Sequence, residues 1–409
     1  MLKAGVAKEK ITPPLGVDLW GYGFYLNRKS TGINDELYAR AIEFDDGRNK
    51  VLIIACDLGG LGRYFVQECK KEIFQSLGIP KDNISVCVTH THSGPAMIYM
   101  EGLGRVDKKY MIFLKEKIIA VAKKADKNRE EVKIGVGKGK SEIGFNRVVK
   151  DGLIDNELLV LRVDNMDSEV KAIMYNCGVH AVSLRGDNCL ISADWPGYTN
   201  KKIEEEKHCI SIFLQGACGD INVKDPSGYE GLKENGKNLA REIFKVQEKL
   251  KWKKNLKIRV ITKTIDLPLR ILNEEDIEKI MGKYQENRKN ENFEKFIQEW
   301  RGNAIKEINK NPRDLLPTEI QFIQIGKDIC FVMQPSELFT KWQLKIKEIS
   351  PCENTLVVGY ANDYVGYIPD EDDFDREGYA AHMVPMITGF FPFENDVGRF
   401  LVEEIRKIL

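Results

Sequence analysis

The stretch Ile84-Ser85-Val86-Cys87-Val88-Thr89-His90-Thr91-His92-Ser93-Gly94-Pro95 decides how the rest of the chain is read. Ile84 to Thr89 has the length and apolar content of a core strand, and the Ser-Gly-Pro that follows stops it. His90 and His92 lie two apart at the strand's exit, so their side chains point the same way. Neutral imidazole is the commonest metal ligand, which makes the pair a candidate for a metal site or for a ligand beside its base. The alternative is two structural histidines in a turn. The chain has only five His in 409 residues, and two of them share one tripeptide. H-x-H alone is a short pattern, and the two-metal form H-x-H-x-D-H is absent, because Gly94 stands where the Asp would be.

Outward from this strand, residues 1 to 225 alternate strand-like and helix-like segments. Ala39 to Phe44 and Val51 to Asp57 read as strands around the turn Asp45-Asp46-Gly47, and Tyr64 to Leu77 as an amphipathic helix ended by Gly78 and Pro80. Lys108 to Lys127 reads as a helix, Glu157 to Val163 and Val170 to Cys177 as a strand pair, and Ile210 to Gln215 as a further strand. Residues 228 to 310 read as mostly helix, rich in Lys and Glu and broken near Leu267-Pro268, with Asn273 to Asn309 a charged surface excursion. Gln321 to Gln334 reads as a hairpin, and Glu394 to Leu409 as a closing helix. The expected fold is α/β: mixed β-sheets covered by α-helices in one catalytic domain over residues 1–409.

Composition bounds the partners. The chain carries 62 basic and 62 acidic residues, so its formal net charge is zero, which gives no global field for nucleic acid or an anionic membrane. With 43% hydrophobic residues it is not a disordered chain. No apolar run approaches a membrane span, and charges interrupt the first ten residues where a secretory signal would need an apolar stretch. The nine Cys are scattered without a C-x-x-C pair and read as reduced, mostly buried thiols. The expected location is therefore cytoplasmic, and the expected partner a small molecule.

Other candidate chemistry is spread along the chain. His180, in Cys177-Gly178-Val179-His180, ends another apolar strand and is either core or ligand. His208 reads as a solvated helix residue, and His382 as either loop or site. Glu337, in Pro335-Ser336-Glu337-Leu338, falls in the first turn of an expected helix, where the dipole favours acids; the functional reading is a carboxylate projected into a site. Tyr360, Tyr364, Tyr367 and Tyr379 are concentrated in a Gly-bearing segment that reads either as a packed loop or as phenols lining a pocket.

Taken in order, these motifs resemble the neutral/alkaline ceramidase family of zinc-dependent amide hydrolases. The resemblance runs from Ala4-Gly5-Val6-Ala7 and Ile11-Thr12-Pro13-Pro14 through Gly21-Tyr22-Gly23 and Ala55-Cys56-Asp57-Leu58-Gly59. It continues through His90-Thr91-His92-Ser93-Gly94-Pro95, Asn146-Arg147, Val179-His180, Gly219-Asp220 and Pro335-Ser336-Glu337 to the tyrosine segment. It implies one zinc ion held by His90, His180, Glu337 and Tyr367, with Tyr364 the rival for the tyrosine ligand. It implies His92 as general base and acid, and Arg147 and Tyr379 as groups that orient substrate and stabilise charge. Asn222, Arg147 and Tyr364 are the implied substrate-binding residues. Asp57 and Asp194 are candidates either to fix the ligand imidazoles or to form structural salt bridges.

The family's G-D-V-S-P-N string is Gly219-Asp220-Ile221-Asn222-Val223-Lys224 here, with Asn222 at the serine position. The implied activity is hydrolysis of a linear, ceramidase-like N-acyl amide by metal-activated water, with the amine half of the substrate left open. Two alternatives stand beside it. One is an amidohydrolase-type barrel acting on a cyclic amide, whose H-x-H also follows a strand. The other is a relative that binds a ligand without catalysis.

Overall fold

A computed structural model describes residues 1–286, 290–389 and 391–409. Residues 287–289, inside the expected surface excursion, lie outside the described residues.

Two sheets packed face to face form the centre. The larger runs, in spatial order, Ile210–Gln215, Val170–Cys177, Glu157–Asn165, Glu130–Lys140, Lys3–Lys10, Tyr38–Asp45, Lys50–Cys56 and Ile84–Val88, with the short Lys251–Lys253 also paired to Glu130–Lys140. The smaller runs Ile258–Pro268, Leu315–Ile325, Ile329–Met333 and Asn354–Val358. Most neighbours are antiparallel, and the parallel pairs include Lys50–Cys56 with Ile84–Val88 and Ile329–Met333 with Asn354–Val358. These open, mixed sheets are not a closed parallel barrel, so the barrel alternative is overturned.

Side-chain alternation explains the layering. Along Lys50–Cys56, Ile53 and Ala55 enter the core between the sheets, while Leu52, Ile54 and Cys56 face the opposite way under helices. From the smaller sheet, Phe331, Met333, Leu356 and Val358 meet that inter-sheet core, and Cys330, Val332 and Val357 face outward. The helix Arg63–Leu77 buries Val66, Cys69, Lys70 and Ile73, a 3.6-residue stripe, and ends at Gly78 in the left-handed conformation. Lys108–Lys127 starts where Asp107 accepts hydrogen bonds from the Lys109 and Tyr110 amides, and it buries Leu114, Ile118 and Val121 against the same face. Asp194–Lys207 and Tyr229–Gln247 cover the far end of the larger sheet through Trp195, Ile203, Leu239 and Ile243. Helices thus cover both outer faces, as the α/β reading expects.

Three local expectations are corrected. Ile258–Pro268 is not helical: it pairs with Leu315–Ile325 over eleven residues as the edge of the smaller sheet. Its charged residues lie toward solvent, which conceals the strand pattern in the sequence. The helices Glu274–Glu286 and Glu291–Ile308 that follow are not a solvated excursion, since Ile277, Met281, Phe296 and Trp300 are buried in the main core. Finally, Cys330 and Cys352 form a disulfide, with Cα atoms 5.9 Å apart. The expectation of nine reduced thiols, one ground for a cytoplasmic location, does not hold for this pair. Among the described residues no helix is long and apolar enough to cross a membrane.

Candidate active site

The site lies where strand ends from both sheets converge. His90 follows Ile84–Val88, His180 follows Val170–Cys177, Glu337 follows Ile329–Met333, and the tyrosine segment follows Asn354–Val358. Gln215 ties the two histidine loops together, its amide nitrogen donating to the Thr89 and Val179 carbonyls at 3.2 and 2.9 Å. The Asn362 amide donates to the Val86 carbonyl at 2.8 Å, which draws the tyrosine segment against the first histidine strand.

His90 takes a left-handed backbone conformation (φ 63°) and is fully buried, the kind of local strain that concentrates at functional sites. Its Nδ1 lies 2.6 Å from the Gly59 carbonyl, and its ring stacks on Tyr360 with centroids 4.1 Å apart. His180 Nδ1 lies 3.0 Å from the Ile221 carbonyl. A carbonyl only accepts, so both Nδ1 atoms carry the proton and both Nε2 atoms present a bare lone pair, a tautomer assigned from these bonds. His180 Nε2 lies 3.1 Å, and His90 Nε2 3.4 Å, from Glu337 Oε2. Burial, with the Arg147 charge adding to it, pushes the His180 imidazole down to about 4. Burial alone would raise the Glu337 carboxyl, but the His90 and His180 imidazoles beside it hold it well below the usual carboxylate range.

Three acceptor atoms therefore point at one another with no proton between them. Buried acceptors left unmatched are costly, and a cation at their meeting point resolves the mismatch. This donor set, imidazole nitrogens with a carboxylate oxygen, suits a divalent metal ion. The ligand atoms of His90, His92 and His180 also lie within 4.8 Å of one another and can hold a metal ion.

Glu337 is not in a helix's first turn as expected. It sits in the two-residue strand Glu337–Leu338, paired in parallel with Tyr367–Ile368, and the helix begins only at Thr340. The two tyrosines then separate by contact. Tyr364 donates to Glu337 Oε1 at 2.5 Å, the oxygen turned away from the histidines. The Tyr367 hydroxyl lies 3.4 Å from His180 Nε2 and accepts from Arg147 Nη2 at 2.7 Å. Burial pushes the Tyr367 phenol well up, and Arg147 pulls it back. Arg147 also donates twice to the Gly219 carbonyl, at 3.2 and 2.8 Å, so much of its guanidinium is committed within the protein.

His92 Nε2 lies 3.1 Å from His90 Nε2, while its Nδ1 is buried without a partner. Burial, and then His90 and His180, hold its imidazole well below the ordinary range, so it is neutral. Gly21, at φ 92°, brings backbone against this ring; a Cβ there would stand 2.5 Å from His92 Nδ1. Trp20 meets both His90 and His92 edge-on at 5.3 Å.

A cavity of about 590 Å³ opens over the cluster. His92, Arg147, Asn222, Glu337, Tyr364, Tyr367 and Tyr379 all line it, and its apolar wall includes Met100, Leu103 and Ile387. Tyr379 is 54% exposed and begins a single π-turn, Tyr379–Met383, a form common at functional sites. His208 caps a helix away from the cluster, and His382 lines a different cavity.

Asp57 and Asp194 do not touch the imidazoles. Asp57 pairs with Arg40 at 2.6 Å. Asp194 accepts from the amides of Ser183, Leu184 and Trp195. The groups that do orient the His90 and His180 rings are the Gly59 and Ile221 carbonyls, which no residue-type pattern can flag. Trp20 and Tyr360 were likewise not anticipated as the aromatic walls of the histidine pair.

Two packed mixed sheets thus carry a histidine, carboxylate and phenol cluster at their converging strand ends. A family model described as neutral/alkaline non-lysosomal ceramidase, N-terminal, matches residues 2–224. The chain belongs to that family. It is 25% identical over 253 residues to a neutral ceramidase of Drosophila melanogaster, covering 54% of this chain and 36% of the relative. It is 25% identical over 240 residues to neutral ceramidase A of Dictyostelium discoideum, covering 49% and 33%. The matched region thus spans about a third of these curated relatives' length. Among solved structures, the neutral ceramidase from Pseudomonas aeruginosa superposes with a TM-score of 0.79 at 18% identity, covering 99% of this chain and 73% of that one.

Proposed function

We propose that the chain is a zinc-dependent hydrolase of linear N-acyl amides, with His90, His180, Glu337 and Tyr367 as the residues that would hold the ion. The observation that carries this reading is the facing of two unprotonated Nε2 atoms and a carboxylate oxygen in a buried cluster. When bound, zinc supplies Lewis-acid polarisation and a water that ionises near neutral pH.

The remaining work falls to side chains. His92, kept neutral by burial, accepts a proton from the attacking water at its free lone pair and returns it to the amine as that leaves. The leaving amine needs this proton, because an amide anion is too basic to depart unaided. Tyr379, at the cavity edge, donates its hydroxyl to the oxygen on which charge develops, an effect worth on the order of 10²–10³ in rate per donor. Arg147 keeps the Tyr367 oxygen in an anion-favouring field, and Tyr364 fixes the rotation of the Glu337 carboxylate. Asn222 meets the polar half of the substrate, and the apolar wall takes the acyl chain. The whole chain, residues 1–409, acts in this reading as the catalytic unit.

The test is metal analysis of the purified protein together with a panel of N-acyl amides. About one zinc per chain, and turnover abolished by chelation and restored by zinc, are expected. Undiminished turnover after complete removal of metal would refute the proposal.

A further inference from the structure

The charges lining the active-site cavity are few: Glu337, Arg147 and Arg185. Glu337 is taken up by the imidazoles and Tyr364, and Arg147 by Gly219 and Tyr367. Arg185 is different. It is exposed, and among the described residues its guanidinium has no carboxylate in ion-pair range and no hydrogen-bond acceptor.

Its backbone, by contrast, is held on every side. The amides of Ser183 and Leu184 donate to Asp194 at 3.1 and 3.0 Å. Tyr22 donates to the Leu184 carbonyl, and the Asn188 amide to the Arg185 carbonyl at 3.0 Å. A free cation on a pinned backbone at a cavity edge is pre-organised for a ligand rather than left to wander. On the same cavity, Asn222 Oδ1 is buried and has no partner. A buried carbonyl oxygen without a donor is destabilising unless a bound molecule supplies one.

We infer that the substrate is an N-acyl amide whose amine half carries a carboxylate, as in an N-acyl amino acid. Arg185 pairs with the carboxylate, and Asn222 Oδ1 accepts a hydrogen bond from the adjacent polar group. The assignment rests on the amide-hydrolase reading and narrows it. The lining also includes Met100, Leu103 and Ile387, an apolar set that suits the acyl chain. A guanidinium matches a carboxylate in planar, two-bond geometry, which neither an uncharged amide nor a hydroxyl reproduces.

The experiment uses two compounds with the same dodecanoyl chain, N-dodecanoylglycine and its neutral glycinamide, together with their ketomethylene isosteres, which cannot be cleaved. Calorimetry on the zinc-loaded protein is expected to show the charged isostere binding on the order of tenfold tighter than the neutral one. Arg185→Gln should bring the two together by weakening only the charged one, and Arg185→Lys should retain part of the preference. Equal binding of both isosteres by the unmodified protein, or equal losses for both in Arg185→Gln, overturns the inference. Hydrolysis separates the two proposals. Charge-selective binding without cleavage of either amide would refute the hydrolase reading alone. Efficient cleavage of both amides without charge preference would refute this inference alone.

Discussion

Glu337 and Tyr367 stand directly opposite each other in a two-residue parallel pairing, so their side chains leave the backbone on the same side. The pairing fixes the carboxylate and the phenol at a constant separation. Tyr364, three residues earlier, reaches the same carboxylate from the other oxygen. The two phenols therefore have different tasks, and they respond differently to loss of the hydroxyl.

Tyr367→Phe removes an oxygen that lies 3.4 Å from His180 Nε2. Zinc affinity is expected to fall by at least ~10²-fold. Tyr364→Phe removes only a bond to Glu337, a loss of about tenfold, as for other groups that orient a ligand. Competition with a chelator of known affinity measures both. Equal losses in the two variants would reassign the ligand.

His92 is the third imidazole of the cluster, and its role separates from those of His90 and His180 by metal content. His90→Ala and His180→Ala should each lose the ion. His92→Asn should keep about one ion per chain while kcat falls by about 10²–10⁴, the range for a lost acid–base group. If His92→Asn arrives without metal, the imidazole is a ligand and the base must be sought elsewhere.

Phe331 is fully buried between the two sheets, where Met333, Leu356 and Val358 are its neighbours in the same core. Phe331→Ala is expected to cost about 3–5 kcal/mol, lost transfer energy plus a cavity, read from chemical denaturation. An effect below about 1 kcal/mol would show that the inter-sheet core does not hold the sheets together.

That core was legible in the sequence, since Ile84–Val88 and Ile329–Met333 read as strands from local apolar runs alone. The histidines were legible for a different reason: five in 409 residues make a doublet at a strand end conspicuous. Glu337 was legible as a residue but not in its setting. Ser336-Glu337-Leu338-Phe339 resembles a helix start, and a tertiary pairing with residues thirty positions away takes precedence over that local preference. Ile258–Pro268 failed for the opposite cause. As an edge strand it carries Arg259, Lys263 and Asp266 toward solvent, and the resulting mixed pattern resembles the charged helices after it. The disulfide joins Cys330, in the strand Ile329–Met333, to Cys352 in the turn that leads into the parallel neighbour Asn354–Val358, a tertiary approach that no spacing of cysteines encodes.

A last expectation concerns Glu43, in the middle of the strand Tyr38–Asp45. It is fully buried, and neither carboxylate oxygen has a hydrogen-bond partner. Burial, with Asp126 adding to it, raises its carboxyl to about 7, even though Arg129 Nε and Lys50 Nζ stand 3.4 and 3.6 Å away. The unfolded chain releases this proton near the ordinary value of about 4.5, whereas the folded chain keeps it until about 7. Between those values the native state binds more protons than the unfolded state, so stability falls as pH rises through the window and levels off above it. At about 1.4 kcal/mol per pKa unit, the penalty reaches on the order of 3–4 kcal/mol above pH 7. Glu43→Gln has no proton to lose. Its stability relative to the unmodified protein should therefore climb from pH 5 to pH 8, as measured by denaturant melts at both values. A difference that stays constant across the window would mean that Arg129 and Lys50 keep Glu43 ionised in the folded protein throughout.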